Sequence, residues 1–243
     1  MISQLISQSV LKKRKLFALL IDPDKHTTES LSKVIKNTNE CKVDLIFIGG
    51  SLLNNDIDRT LEIIKSNTSI PTLLFPGNLL QLTNKADGIL LLSLISGRNP
   101  DLLIGNHVIA STQIKKSNLE VLPTGYILIE GGKTSSVEYM SNTKPIPAEK
   151  IDIAIATALA GEMLGLKYIY LEAGSGAKIS INSAIVKSVK ENISIPLIVG
   201  GGIKTSNDIK SIIDAGADIV VVGNIIEQQP DILQELVTAV HEY

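Results

Sequence analysis

Residues 195–209 read IPLIVGGGIKTSNDI: an unbroken β-branched run that passes straight into three glycines. Apolar residues without polar alternation describe a strand covered on both faces, as in a parallel sheet. The glycines at its end let something approach the backbone where no side chain is allowed. The amphipathic stretch KTSNDIKSIIDAGA that follows carries a helix start, completing one βα unit. The same unit recurs along the chain. Apolar runs end at Asp22 (LFALLID), Gly50 (DLIFIGG), Gly77 (PTLLFPG), Ser93 (GILLLS), Gly132 (GYILIEGG), Gly174 (YIYLEAG), Gly202 (PLIVGGG) and Asn224 (DIVVVGN). Eight such strands with helical stretches between them predict an α/β fold, a single (β/α)8 TIM barrel over residues 1–243.

Two segments depart from a regular repeat. GNLLQLTNKADG, between Gly77 and Gly88, is too short for a helix and two loops, so the third helix is expected to be reduced or replaced. GGKTSSVEYMSNTKPIPAEK, after the fifth strand, is long and polar, and stands where a barrel keeps its lids.

Composition narrows the function. The 243 residues are 44% hydrophobic and 20% charged, the balance of a globular chain with a large core. Lys and Arg number 23 against 25 acidic residues, so there is no general electrostatic case for nucleic acid, and an anionic ligand must be held locally. The one cysteine, Cys41, has no partner for a disulfide and reads as a small buried hydrophobe. At the N-terminus, MISQLISQSVLKKRK puts its basic cluster after the apolar residues, unlike a secretory signal, and the expected location is the cytoplasm. The longest nearly apolar run, GILLLSLIS, is about half the length of a membrane span.

In this fold the chemistry sits at the C-terminal ends of the strands, and phosphate commonly binds after the seventh and eighth. VGGGIKTSND offers bare N–H groups at a helix start, and Gly223 and Asn224 in VVGNIIE add further donors, together a phosphate cradle. Glu172 ends the sixth strand at the rim, where a carboxylate can act as a base, although a lone Glu is as commonly solvated or salt-bridged. Tyr170 shares its face of the strand and suits either a hydrogen bond to a ligand or core packing. Asp22 in LLIDPDKH and Ser51 in FIGGS offer oxygens to a hard cation such as Mg2+, with substrate phosphates completing the shell. Alone, DPDK equally suits a turn with a helix cap. His26, His107 and His241 are scattered, so no zinc site is indicated, and no nucleophile elbow, Walker A loop or dinucleotide fingerprint is present.

With LIDPDK, FIGGS, YLEAGSGA, VGGGIK and VVGN in this order, nearly the whole chain resembles the geranylgeranylglyceryl phosphate and heptaprenylglyceryl phosphate synthases, Mg2+-dependent prenyltransferases on a modified TIM barrel. The GGKTSSVEYMSNTKPIP loop is similar to that of the larger subgroup of the family. The resemblance implies that Asp22 and Ser51 bind Mg2+, which holds the diphosphate of a long-chain prenyl donor. It implies that Tyr170, Leu171, Glu172, Ala173, Gly174, Ser175, Gly176, Gly201, Gly202, Gly223 and Asn224 bind sn-glycerol 1-phosphate, and that Glu172 takes the proton from its C3 hydroxyl. It further implies a homo-oligomer in transient proximity to membranes at most, with geranylgeranyl diphosphate as the expected donor. One departure is Leu20, which stands where some members carry a lysine for the glycerol phosphate; Lys25 or Lys204 are candidates to replace that charge. Two other readings explain the glycines: a phosphosugar isomerase, lyase or synthase on the same barrel, and a non-catalytic phosphate-binding barrel.

Overall fold

The computed structural model describes Met1–Tyr243. The apolar runs form eight strands: β1 (Leu16–Ile21), β2 (Leu45–Ile48), β3 (Thr72–Leu74), β4 (Gly88–Leu94), β5 (Glu120–Leu128), β6 (Tyr168–Glu172), β7 (Leu197–Gly200) and β8 (Ile219–Val222). Each pairs in parallel with its neighbours in sequence, and β8 pairs with β1 to close the barrel. Alternation along the strands divides them between two cores. Ala18, Phe47, Leu73, Tyr126, Tyr170 and Ile198 fill the barrel interior. Phe17, Leu19, Ile46, Ile169, Leu171 and Val199 face outward into a larger core shared with the helices. Both faces are buried, which is why the runs show no polar alternation.

The strand-start end of the barrel is built for stability. The helix Ile2–Leu11 sends Ile2 and Ile6 into the interior cluster as a stopper. The N–H groups of its first turn are met by Glu120 at the start of β5, which accepts the Ser3 N–H at 2.8 Å as well as the Ile2 N–H and the Ser3 hydroxyl. Asp44, Asp87 and Asp218 each stand immediately before an even-numbered strand. They accept the N–H of Phe17, Thr72 and Leu197, in the strand before, at 2.9, 2.8 and 2.9 Å. Each carboxylate also meets a basic side chain: Arg14 and His241 at Asp44, Lys65 at 2.6 Å from Asp87, and Lys190 at 2.7 Å from Asp218. These pairs lock the strand starts and leave the opposite rim free for chemistry.

The third crossover contains a single 3-10 turn, Leu79–Gln81, in place of a helix. Its Gln81 is buried and ties two loops together, donating from Nε2 to the Gly50 carbonyl at 2.6 Å and accepting the Gly77 N–H at 3.1 Å. That brace fixes the backbone next to Ser51. Strand β5 begins five residues earlier than Gly125, where the apolar run suggests it starts. The turn-like pair Pro123 and Gly125 conceals this extension, which β4 recruits by pairing Leu91 with Pro123 and Gly88 with Glu120. The polar loop after β5 carries a short helix, Ser136–Ser141, and is tied back to the sheet by a bridge between Ile129 and Ile146. No helix is long and apolar enough to cross a membrane.

Candidate active site

A cavity of about 1050 Å³ opens across the C-terminal ends of the strands. Gly201 and Gly202 of the glycine run border it, and a close neighbour accounts for each glycine of the run. A Cβ on Gly200 would overlap the Tyr170 hydroxyl, and one on Gly201 would overlap Glu172 Oε1. One on Gly202 would lie 2.8 Å from the Ile179 carbonyl oxygen. Gly201 and Gly202 also have φ of +85° and +71°, a conformation that a side chain disfavours. What comes so close to this backbone is therefore the end of β6, with Tyr170 and Glu172, and the loop that follows it.

Glu172 is 5% exposed and accepts the Gly174 N–H at 2.7 Å. Burial pushes its carboxyl up to about 7, against the opposing pull of that N–H and the nearby Tyr170 phenol. No basic side chain offsets the burial, so the group is poised to exchange a proton near neutrality. Beneath it lies an aromatic floor: Phe75 stacks on Tyr170 at 5.4 Å, and Tyr126 lies 5.3 Å from Tyr170. Burial holds both tyrosine hydroxyls neutral. The Tyr170 hydroxyl is buried beside the Glu172 carboxyl and has no other hydrogen-bond partner in the chain.

At one end of the cavity the N–H groups of Gly202, Gly223 and Asn224 donate to nothing else in the chain. Ser175 donates to Asn224 Oδ1 at 3.1 Å, which turns the Asn224 amide nitrogen toward Gly176. These donors form an anion cradle. The start of the helix Ser206–Asp214 does not line the cavity, contrary to the expectation from VGGGIKTSND. Its own capping box occupies it: Thr205 Oγ1 accepts the Asp208 N–H, and Asp208 accepts the Lys204 and Thr205 N–H groups at 3.0 and 2.9 Å.

The other end is acidic. Asp22 caps the turn Pro23–Lys25 by accepting the Asp24 N–H at 3.0 Å with Oδ1, and its Oδ2 faces Gly50. DPDK is thus a capped turn that still leaves one carboxylate oxygen available. The Ser51 hydroxyl makes no hydrogen bond within the chain, and both residues line the cavity. Burial raises the carboxyl groups of Asp22 and Glu227, and the charge of Asp22 raises Glu227 further. Two desolvated acids and a free hydroxyl fit Mg2+, which binds through one or two carboxylates and completes its shell with substrate oxygens. No group of three or more His, Cys, Asp or Glu side chains that could hold a metal exists in the chain, so an all-protein cage is not on offer.

From this centre an apolar arm runs between β4 and the helix Asn106–Lys116, lined by Leu82, Ile89, Leu91, Leu102, Ala110 and Ile114. GILLLSLIS is thus both core and cavity wall. Tyr170, Glu172, Ser175, Gly176, Gly201, Gly202, Gly223, Asn224, Asp22 and Ser51 all line the cavity. Leu171 and Ala173 do not. Strand alternation turns Leu171 into the outer core, and Ala173 is buried there with its N–H bonded to the Gly200 carbonyl. Gly174 acts through its bond to Glu172. Glu227 and Lys133 also line the cavity and are absent from the residues selected by sequence; nothing in the sequence points to Lys133. A signal for Glu227 existed: it lies three residues after Asn224, one helical turn along NIIEQ.

The profile of the PcrB family matches residues 8–241. The chain belongs to the PcrB family. Among its PcrB relatives, the geranylgeranylglyceryl phosphate synthase of Spirosoma linguale is 48% identical over 231 residues, spanning 95% of this chain and 93% of the relative. That of Chitinophaga pinensis is 48% identical over 228 residues, spanning 93% and 90%. The crystal structure of (S)-3-O-geranylgeranylglyceryl phosphate synthase from Thermoplasma acidophilum, in complex with its substrate sn-glycerol-1-phosphate, matches with a TM-score of 0.92 at 29% identity, covering 98% of this chain and 97% of that one.

Proposed function

We propose that this PcrB family chain is a Mg2+-dependent prenyltransferase that joins a geranylgeranyl group to the C3 hydroxyl of sn-glycerol 1-phosphate and releases diphosphate. The observation that carries this reading is the position of Glu172: a buried carboxyl with its pKa near 7, between an anion cradle and an apolar arm. The cradle of Gly202, Gly223 and Asn224 holds the phosphate of the acceptor. Glu172, with the Tyr170 hydroxyl beside its carboxyl, takes the proton from the C3 hydroxyl. The oxygen bonds to C1 of the prenyl chain as the bond from C1 to the diphosphate oxygen breaks, its electron pair leaving with the diphosphate. Asp22 and Ser51 would hold Mg2+, which supplies charge neutralisation for the leaving group. The arm along β4 excludes water from the prenyl chain.

A phosphosugar enzyme or a phosphate sensor would use the cradle, but neither has a use for an apolar arm in the same cavity as Glu172. The test is a Mg2+-dependent assay of purified protein with radiolabelled glycerol 1-phosphate and, separately, C20 and C35 prenyl diphosphates. A labelled ether lipid, formed preferentially from the C20 donor, is the expected product. Saturable glycerol phosphate binding with no lipid from either donor would overturn the proposal.

A further inference from the structure

The cradle's backbone donors carry no full positive charge, and Leu20 beneath Gly223 supplies none. Three lysines and no arginine line the cavity: Lys25, Lys133 and Lys204. Lys25 stands at the acidic end, where its charge acts on Asp22 and Glu227. Lys204 is turned to the rim, its Nζ 3.4 Å from the Lys178 carbonyl oxygen. Lys133, in the loop after β5, makes no hydrogen bond or ion pair within the chain. A point one Cβ bond out from Gly176 lies 3.4 Å from Lys133 Nζ and 3.2 Å from Asn224 Nδ2, so ammonium and amide face the same small space at the cradle. Glycine at 176, with φ +66°, keeps that space open.

The backbone that carries Lys133 is fixed. The Gly131 carbonyl accepts the Lys178 and Ile179 N–H groups at 3.0 and 3.3 Å, strapping the β5 loop to the β6 loop. A Cβ on Gly131 would overlap the Ala173 carbonyl, so the two loops are in contact. Ser135 then caps the helix Ser136–Ser141 by accepting the Glu138 N–H at 3.3 Å. Only two residues, Gly132 and Thr134, separate Lys133 from these anchors, and the long side chain supplies the reach.

We infer that Lys133 is the cationic ligand of the acceptor's phosphate, clamping it against Asn224 and the glycine cradle. This rests on the proposed reading of the cradle as the glycerol phosphate site, and it assigns the charge that neither Leu20, Lys25 nor Lys204 provides there. An ammonium–phosphate bond is charge-assisted, so its loss is expected to weaken acceptor binding about tenfold or more.

The test compares wild type, Lys133→Met and Lys133→Arg by calorimetric titration with glycerol 1-phosphate in the absence of prenyl donor. KM values for both substrates are then measured at two salt concentrations. Lys133 is exposed, so the variants should fold, and circular dichroism checks this. The expected result is weaker glycerol phosphate binding in Lys133→Met, a flatter salt dependence, an unchanged KM for the prenyl donor and recovery in Lys133→Arg. Unchanged acceptor binding would overturn the assignment, as would a loss confined to the KM of the prenyl diphosphate. Should the wild type bind glycerol phosphate but form no lipid, the transferase reading falls, and the titration still decides the role of Lys133. A wild type that binds no glycerol phosphate would overturn both.

Discussion

Replacing Glu172 with Gln keeps the size of the side chain and lets its amide oxygen go on accepting the Gly174 N–H, while removing the charge. In the folded protein the carboxyl titrates at about 7, against 4.5 in the unfolded chain. A raised acid binds its proton more tightly in the folded state, so its contribution to stability is full below about 4.5 and is lost as pH rises through 7. That difference corresponds to ~3 kcal/mol of destabilisation at pH 8, where the folded protein must hold a bare carboxylate. Glu172→Gln escapes it. For a chain of this length the variant should melt roughly 6–12 °C higher than wild type at pH 8, with the gap closing toward pH 4.5. Its turnover should fall by about 10²- to 10⁴-fold, the range for a lost general base. Wild-type kcat/KM should rise with pH to a plateau past about 7. Thermal melts across pH, paired with the lipid-extraction assay, read both effects. A stability gap independent of pH would refute the raised carboxyl, and near-normal turnover would refute Glu172 as the base.

Gly201→Ala would drive a methyl group onto Glu172 Oε1 in a left-handed backbone; displacing the base by even ~1 Å should lower kcat about 100-fold, and retained kcat would contradict the packing described. Chelation of Mg2+ should abolish prenyl transfer but leave calorimetric glycerol phosphate binding intact, because the cradle's donors are N–H groups of the chain and not the metal. Asp22→Asn should raise the Mg2+ concentration needed for half-maximal rate, measured by titrating the metal in the same assay. Asp218→Ala, at the opposite rim, strips the partner from the Leu197 N–H and from Lys190; it should cost ~3 kcal/mol in denaturant unfolding while kcat at 25 °C stays near wild type.

The barrel is legible in the sequence because its strands are buried on both faces, which writes them as unbroken Ile, Val and Leu runs. The missing third helix is legible too, as a simple shortage of residues before Gly88. The start of β5 is not, because Pro123 and Gly125 carry turn chemistry that the long pairing with β4 overrides. At the site, the residues at the strand ends stand where the runs stop, and Asp22, Ser51, Glu172, Gly201 and Asn224 do reach one cavity. Leu171 and Ala173 lie inside the same motif, but alternation of the strand, which a motif does not express, turns them away. Lys133 and Glu227 lie beyond the strand ends on loops and a short helix, where only the folded backbone reveals which way a side chain faces. The triple glycine is legible as a close approach, yet its causes are not: Gly200 and Gly201 meet Tyr170 and Glu172, whose pairing with β7 is set by sheet register, and Gly202 meets the Ile179 carbonyl in the loop after β6.

The two rims use the same residue type in opposite ways. At the strand starts, Asp44, Asp87, Asp218 and Glu120 each accept a backbone N–H, and the three aspartates also meet a cation; their charges are spent on holding strands in place. At the strand ends, burial raises Asp22, Glu172 and Glu227, and none of them has an ion-pair partner. Each of these acids destabilises the folded chain when ionised, a strain that a bound cation or a transferred proton relieves. The strand-start pairs stabilise the fold, which lets the opposite rim keep its acids unsatisfied. Carboxylates held without partners are the ones able to take a proton from a hydroxyl or a metal from solution, and that division between the rims is how one barrel is both stable and reactive.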